Sequence, residues 1–111
     1  MYRYQITLQQ ISEFIMSSSI NEVIKSLTIK LGSEKVDGSI KFEIEDIGSI
    51  VVESGEVRES AEDTDCTLKG DLETFSEIFR GDLNSTTAFM SGRLKVEGSM
   101  GTAMKYNSIL S

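Results

Sequence analysis

The hydrophobic period of this chain changes at Ser39, and that change constrains the fold more than any other feature. After it, Ile40, Phe42 and Ile44 alternate with charged residues, the pattern of a strand with one buried face. Two glycine–serine pairs then separate two further short apolar runs, which predicts a three-stranded antiparallel meander over about residues 39–58. A fourth alternating run, through Cys66 and Leu68, predicts another strand.

Helical patterns surround these strands. The N-terminal third predicts two helices, over about Tyr4–Met16 and Ser19–Leu31, because Ser17–Ser19 interrupts the apolar stripe. After the fourth strand, the sequence predicts a helix capped by Asp71, a short helix capped by Asn84, a strand through residues 94–96 and a closing helix. This order is typical of an α+β fold with a five-stranded, largely antiparallel sheet covered on one face by helices.

Composition excludes several classes of function. The chain has 111 residues, which fits a single domain spanning 1–111, and no proline or low-complexity tract marks a linker. It has no histidine and one cysteine, so histidine-dependent nucleophilic catalysis is excluded and a metal or cofactor site is not expected. The net charge of −7 argues against nucleic-acid binding. We expect a cytoplasmic protein, because the N-terminus lacks a secretory signal pattern.

The charge is unevenly distributed along the sequence. Residues 43–65 contain nine acidic residues and one base, Arg58, whereas residues 92–111 contain three bases and one acid, Glu97. A solvated acidic hairpin is sufficient to explain the first segment. The C-terminal segment is the part of the chain that would tolerate an anionic surface.

Four consecutive elements after Asp71 direct large apolar side chains towards one region. On pattern alone, an ordinary core is the commoner outcome for such stripes. Methionine and phenylalanine, however, also suit a surface that repacks around ligands of different shapes. The residues that we consider as cavity lining in this region are Phe75, Ile78, Phe79, Leu83, Phe89, Met90, Leu94, Met100, Ala103, Met104 and Leu110, with Phe14 added from the N-terminal helix.

The same region resembles the sterol carrier protein 2 family over an ordered series of short motifs. These motifs are Asp65-Cys66-Thr67-Leu68, Phe79-Arg80-Gly81, Leu83-Asn84, Ala88-Phe89-Met90, Gly92-Arg93-Leu94-Lys95-Val96 and Gly98-Ser99-Met100-Gly101-Thr102-Ala103-Met104-Lys105. The resemblance is strongest over Asp65–Leu110, and the N-terminal helices agree with the family only in pattern. Ser85 stands where the family often has proline. The chain ends in Ile109-Leu110-Ser111 instead of a Ser-Lys-Leu type signal, so peroxisomal import is not expected.

The resemblance implies an apolar cavity between sheet and helices, and a carrier that is not an enzyme. Implied ligands are sterols, fatty acids, fatty acyl-CoA and phospholipids, and lipid release implies transient contact with a membrane surface. An alternative from another class is an accessory or protein-interaction domain of the same fold, with its cavity filled by side chains. The sequence makes no prediction of oligomeric state.

Overall fold

A computed structural model describes the backbone of residues 8–110 and the side chains of residues 20–110. Within these residues the chain forms four helices and five strands. In order they are α1 (Leu8–Leu31), β1 (Ser39–Ile44), β2 (Gly48–Glu53), β3 (Glu56–Glu59), β4 (Cys66–Gly70), α2 (Leu72–Arg80), α3 (Ser85–Met90), β5 (Lys95–Gly98) and α4 (Met100–Leu110). No helix in this part of the chain combines the length and apolar character needed to cross a bilayer.

The N-terminal third forms one helix, so the prediction of two helices separated at Ser17–Ser19 is wrong. Serine has only a modest helix penalty and keeps its backbone N–H, so three serines do not end a helix as proline would. The start of the predicted first helix, residues 4–7, lies outside the described residues. The buried side of α1 carries Ile20, Val23, Leu27 and Leu31 at spacings of three and four.

The sheet has the strand order β3-β2-β1-β4-β5. Strands β1, β2 and β3 form the predicted antiparallel meander, and β5 pairs antiparallel with β4. Strand β4 pairs parallel with β1, with Ile40 opposite Cys66 and Phe42 opposite Leu68. The α+β fold and the five-stranded, largely antiparallel sheet are therefore confirmed, and the parallel pair at the centre is an addition that the sequence pattern did not predict.

One face of the sheet packs against the helices. Phe42 on β1 makes edge-to-face contacts with Phe75 and Phe79 of α2, with ring centroids 5.7 and 5.5 Å apart. Such pairs add about 0.5–1.5 kcal/mol each beyond the area that they bury. Helix α4 contacts β1, β4 and β5 beside this cluster. The α2 and α4 helices thereby cover neighbouring parts of the same sheet face.

The opposite face is mostly polar. Lys69 on β4 forms ion pairs with Glu43 and Glu97 on its two neighbouring strands, at 3.6 and 3.0 Å. Lys41 is buried on this face and donates from Nζ to the Glu62 carbonyl oxygen at 3.2 Å. The chain therefore has one principal core, which lies between the helices and the other face of the sheet.

Both predicted helix caps after β4 are present. The Asp71 carboxylate accepts from the Thr74 backbone N–H at 2.8 Å, and the Asn84 side-chain oxygen accepts from the Thr86 N–H at 2.8 Å. The second cap starts α3 only a few residues after α2 has ended. A space lies between α3, α4 and the sheet.

Candidate functional site

An apolar cavity of about 250 Å³ lies between α3, α4 and strands β4 and β5. The sheet forms its floor, since Leu68 and Val96 are paired in register and both face the helices. Helix α3 and helix α4 form its two walls. The complete lining is Leu68, Ser85, Thr86, Phe89, Leu94, Val96, Met100, Ala103, Met104, Asn107 and Leu110.

Helix α4 has a cavity side and an anchored side. Met100, Ala103 and Met104 recur at spacings of three and four and line the cavity. Thr102 and Tyr106, four residues apart, are buried on the side that packs on the sheet. The helical period thus separates residues that hold α4 in place from residues that are available to a ligand.

Tyr106 fixes this helix to the sheet. Its ring is 1% exposed, and its hydroxyl lies 2.9 Å from the Gly38 carbonyl oxygen, to which it donates. Burial raises the pKa of the Tyr106 phenol, with the nearby carboxylates of Glu53 and Asp65 adding to the effect. The phenol is therefore neutral at physiological pH and keeps the proton that it donates.

A hydrogen bond between side chains joins the two helical walls. The Ser85 hydroxyl on α3 donates to the side-chain oxygen of Asn107 on α4. Ser85 is buried, so this link replaces water as its hydrogen-bond partner. At the mouth, by contrast, Phe89, Met100 and Met104 combine lining positions with exposed surface. The two walls of the cavity are thus hydrogen-bonded to each other at Ser85 and Asn107, and the mouth is apolar and exposed at Phe89, Met100 and Met104.

The structure brings together six of the twelve side chains considered as cavity lining from sequence. They are Phe89, Leu94, Met100, Ala103, Met104 and Leu110. Leu83 is half-buried and packs against the edge of the core, outside this cavity. Phe14 lies in α1, but its side chain is outside the described residues. Whether any of these residues binds a ligand stays a prediction.

Besides Leu83, four of the proposed lining residues lie outside this cavity. Phe75, Ile78 and Phe79 are buried in the core, because the apolar face of α2 points at Phe42 and not at α4. Met90, at the end of α3, is 81% exposed and does not line the cavity. Apolar spacing identified the buried face of α2 but not the neighbour on which that face packs.

Five lining residues were not identified from sequence. Leu68 and Val96 had a usable signal, since each occupies an inward position of an alternating strand. Asn107 follows Met104 by three residues and Ala103 by four, so helical spacing also placed it on this side. Ser85 and Thr86 carry no apolar signal, and only the fold brings them to the cavity.

A larger cleft of about 720 Å³ lies where β1 and β4 end. Charged groups of both signs line it, including Glu43, Asp46, Lys69 and Arg93. Arg93 is paired with Glu77 on α2 and Lys69 with Glu43, which leaves no uniform field to select one ligand charge. The smaller apolar cavity is the better candidate site.

The reactive side chains Cys66 and Asp65 have structural roles. Burial, followed by the charge of Asp65, raises the pKa of the Cys66 thiol, so the thiolate is scarce at neutral pH. The Asp65 carboxylate accepts from the backbone N–H of Ser39 at 2.9 Å and so ties β1 to the start of β4. Among the described residues, no cluster of three or more potential metal ligands is found.

Comparisons with solved structures support the fold. A crystal structure of sterol carrier protein 2 like 2 from Aedes aegypti is 19% identical, with a TM-score of 0.72 over 84% of this chain and 97% of that chain. A solution structure of Aedes aegypti sterol carrier protein 2, in complex with palmitate, is 18% identical, with a TM-score of 0.69 over 84% and 94% of the two chains.

Sequence comparisons identify the family. Hydroxysteroid dehydrogenase-like protein 2 of Xenopus tropicalis is 44% identical over 46 residues, which are 41% of this chain but only 11% of that protein. The chain therefore matches a small part of this longer relative. The model of the SCP-2 sterol transfer family matches residues 20–111, which include the whole sheet and every element of the cavity. The chain belongs to the SCP-2 sterol transfer family.

Proposed function

We propose that this protein binds a lipid in the cavity between α3 and α4 and transfers it without catalysing a reaction. The observation that carries the proposal is the apolar lining, in which Phe89, Met100 and Met104 also form an exposed mouth. Candidate ligands are fatty acids, fatty acyl-CoA, sterols and phospholipids. Family membership and the palmitate complex of the Aedes aegypti relative support this ligand class.

The cavity is too small to hold a long acyl chain without widening. Its 250 Å³ lies below the roughly 300–1,000 Å³ that is typical of sites for drug-sized ligands, so a long acyl chain needs additional space. Unbranched methionine side chains can move at low cost, and Met100 and Met104 stand at the mouth. We therefore expect the acyl chain of the ligand to enter past these two methionines and to widen the cavity by displacing their side chains.

The expected affinity is moderate. Burial of a sixteen-carbon chain contributes at most about 13 kcal/mol, at about 0.8 kcal/mol for each methylene. Association costs of roughly 4–15 kcal/mol offset much of this gain. Binding in the micromolar range, with weak selectivity, is consistent with a carrier that must also release its ligand.

Titration of lipid-free protein with a fluorescent fatty acid tests the proposal directly. We expect saturable binding in the micromolar range and displacement of the probe by unlabelled palmitate and by cholesterol. Displacement by only one of the two would define the ligand class more narrowly. Failure of the probe to saturate, in protein shown to be folded by circular dichroism, would refute lipid binding.

A matched pair of variants locates the site. Ala103→Phe places a ring in the lining, whereas Ala61→Phe adds the same ring at an exposed position in the loop between β3 and β4. If the new ring excludes two methylenes of the ligand, affinity falls by roughly tenfold in Ala103→Phe. Ala61→Phe should bind like the wild type. Equal affinities for the two variants would place the ligand outside this cavity.

An accessory role within a larger enzyme system is the alternative, and one observation favours it. The dehydrogenase-like relative contains the matched segment as only 11% of its length. In that role the cavity would be filled by the chain's own side chains and the fold would dock on a partner. Native mass spectrometry of freshly purified protein distinguishes the carrier from the accessory domain. Co-purified lipid would support the carrier, and a ligand-free mass would support the accessory domain.

A further inference from the structure

Strand β5 leaves one edge of its backbone unpaired. The strand forms the outer edge of the sheet and pairs on its inner side with β4. Among the described residues, the backbone groups of Lys95–Gly98 make no hydrogen bond outside the pairing with β4. Lys95, Glu97 and Gly98 are also exposed. An open strand edge of this kind is a template on which another chain can add a strand.

The two edges of the sheet differ in how far their charges are compensated. At the β3 edge, which helix α1 contacts, Arg58 forms ion pairs with three carboxylates of its own chain, those of Glu53, Glu56 and Glu62. At the β5 edge, Lys95 has no ion-pair partner in the described part of the chain and lies opposite another cation, Lys69. Glu97 is paired with Lys69 at 3.0 Å. A cation available to a second molecule therefore lies on β5.

The sequence of β5 is complementary to its own reverse. If two copies pair antiparallel with Val96 opposite Val96, Lys95 of each copy lies opposite Glu97 of the other. Lys95 and Glu97 occupy alternate positions of the strand, so both cross-strand pairs lie on the polar face of the sheet. The neighbouring registers, centred on Lys95 or on Glu97, place two like charges opposite each other. Opposite charges in this position stabilise a strand pair, and like charges destabilise it.

Other charged groups near this edge are engaged within the chain. Arg93, which precedes β5, is paired with Glu77 of α2. The backbone of Asp65 lies against Gly98, but the Asp65 carboxylate accepts from the Ser39 N–H on β1 at 2.9 Å. Neither group offers a competing partner across the free edge.

Exposed apolar side chains flank β5 on both sides in the sequence. Met90, at the end of α3, is 81% exposed, and Met100, at the start of α4, is 51% exposed. Antiparallel pairing sets the end of β5 that leads into α4 beside the end that follows α3 in the other copy. Each exposed methionine is thereby brought towards its counterpart, so apolar surface is removed from water. This burial supplements the small contact between two short strands.

We propose that two copies of this chain associate through the free edges of β5, antiparallel and in register at Val96, so that the two five-stranded sheets form one continuous sheet. Lys95 of each copy pairs with Glu97 of the other, and the helices of both copies lie on the same face. The association is independent of the proposed lipid-binding function, because neither Lys95 nor Glu97 lines the cavity.

Sedimentation velocity on the full chain, over micromolar to submillimolar concentrations, tests the association. We expect monomer and dimer in an equilibrium that depends on concentration. Backbone amides of Lys95–Gly98 should exchange hydrogen with solvent more slowly at high protein concentration, because the free edge gains hydrogen-bond partners. A monomeric mass at every concentration would overturn the proposal. A dimer in which these amides gain no protection would also overturn it.

An exchange of charges tests the register. Lys95→Glu and Glu97→Lys should each raise the dimer dissociation constant by roughly tenfold, because two attractive pairs become repulsive. Lys95→Glu does not weaken the monomer, since the new carboxylate lies opposite Lys69. The double variant has opposite charges in both pairs again, and its dissociation constant should return to within roughly threefold of the wild-type value. A double variant that dimerises as weakly as the single variants would refute the pairing.

Two control variants make the same changes of charge at exposed positions elsewhere: Lys25→Glu on α1 and Glu59→Lys at the end of β3. Both should dimerise as the wild type does, which separates pairing at β5 from an effect of net charge. Loss of the dimer in Glu59→Lys but not in Glu97→Lys would move the interface to β3 and refute the proposal. All variants should retain saturable fatty-acid binding, so failure to dimerise and failure to bind lipid are observed separately.

Discussion

Gly98 joins β5 to α4, and its replacement by alanine is the most severe small change that we expect at the edge of the cavity. Its φ angle is +90°, in the region that favours glycine. A Cβ atom at this position would lie 2.4 Å from the backbone carbonyl oxygen of Asp65. The same oxygen accepts a hydrogen bond from the Ser99 N–H at 2.8 Å. The added methyl group cannot be accommodated without moving β4 relative to β5.

Gly92 provides a control with the same backbone conformation and no clash. Its φ angle is +83°, and a Cβ atom there would meet nothing within 4 Å. Gly92→Ala should therefore cost only the backbone strain, about 1–2 kcal/mol. Gly98→Ala adds the clash and the loss of the Ser99 hydrogen bond, which contributes about 1 kcal/mol. We expect a total of about 3 kcal/mol for Gly98→Ala.

Urea denaturation followed by far-UV circular dichroism measures both losses. We expect the free energy of unfolding to fall by at least about 1 kcal/mol more in Gly98→Ala than in Gly92→Ala. Fatty-acid affinity should fall in the first variant as well, because α4 starts two residues after the altered position. Equal free energies of unfolding for the two variants would refute the argument from close backbone contact.

Two further predictions concern groups that hold the helices. Tyr106→Phe should lower the free energy of unfolding by about 1–2 kcal/mol, because the Gly38 carbonyl loses the donor that the buried Tyr106 hydroxyl supplies; an unchanged urea midpoint would contradict this role. Hydrogen bonds from the Thr74 side chain and backbone lower the pKa of Asp71, so the stabilisation from its carboxylate is complete above about pH 4 and is lost as pH falls through the lowered pKa. Asp71→Asn keeps a good cap without the titration. The urea midpoint of Asp71→Asn should be lower than that of the wild type near neutral pH, and this difference should shrink below about pH 4. A difference that does not depend on pH would argue against a stabilising charge at the cap.

The regular elements were predictable because their causes are local. Alternation over Ile40–Ile44 identified β1, and the caps at Asp71 and Asn84 placed the starts of α2 and α3. The N-terminal helix shows the limit of local rules, since Ser17–Ser19 was interpreted as a break and the structure has one helix from Leu8 to Leu31. The weak helix preference of serine is outweighed where the flanking residues continue the helix.

The candidate site was only half predictable, and α2 and α4 show why. Both helices present apolar residues at spacings of three and four. The face of α2 is closed by the ring of Phe42, whereas the cavity side of α4 faces a gap that β4 and β5 leave beside α3. Hydrophobic periodicity predicts that a side chain faces away from solvent. It does not predict whether another side chain or an open cavity lies opposite.

The sequence by itself determined the class of fold, the order of the elements from β1 onwards, and the family through its ordered motifs between Asp65 and Lys105. It also removed histidine-dependent chemistry, since the chain has no histidine. Only the tertiary structure decided that β4 lies between β1 and β5, and this arrangement places the cavity at the β4–β5 side of the sheet, opposite the edge formed by β3. Strand neighbours are chosen by contacts between residues far apart in the chain, which no local pattern records.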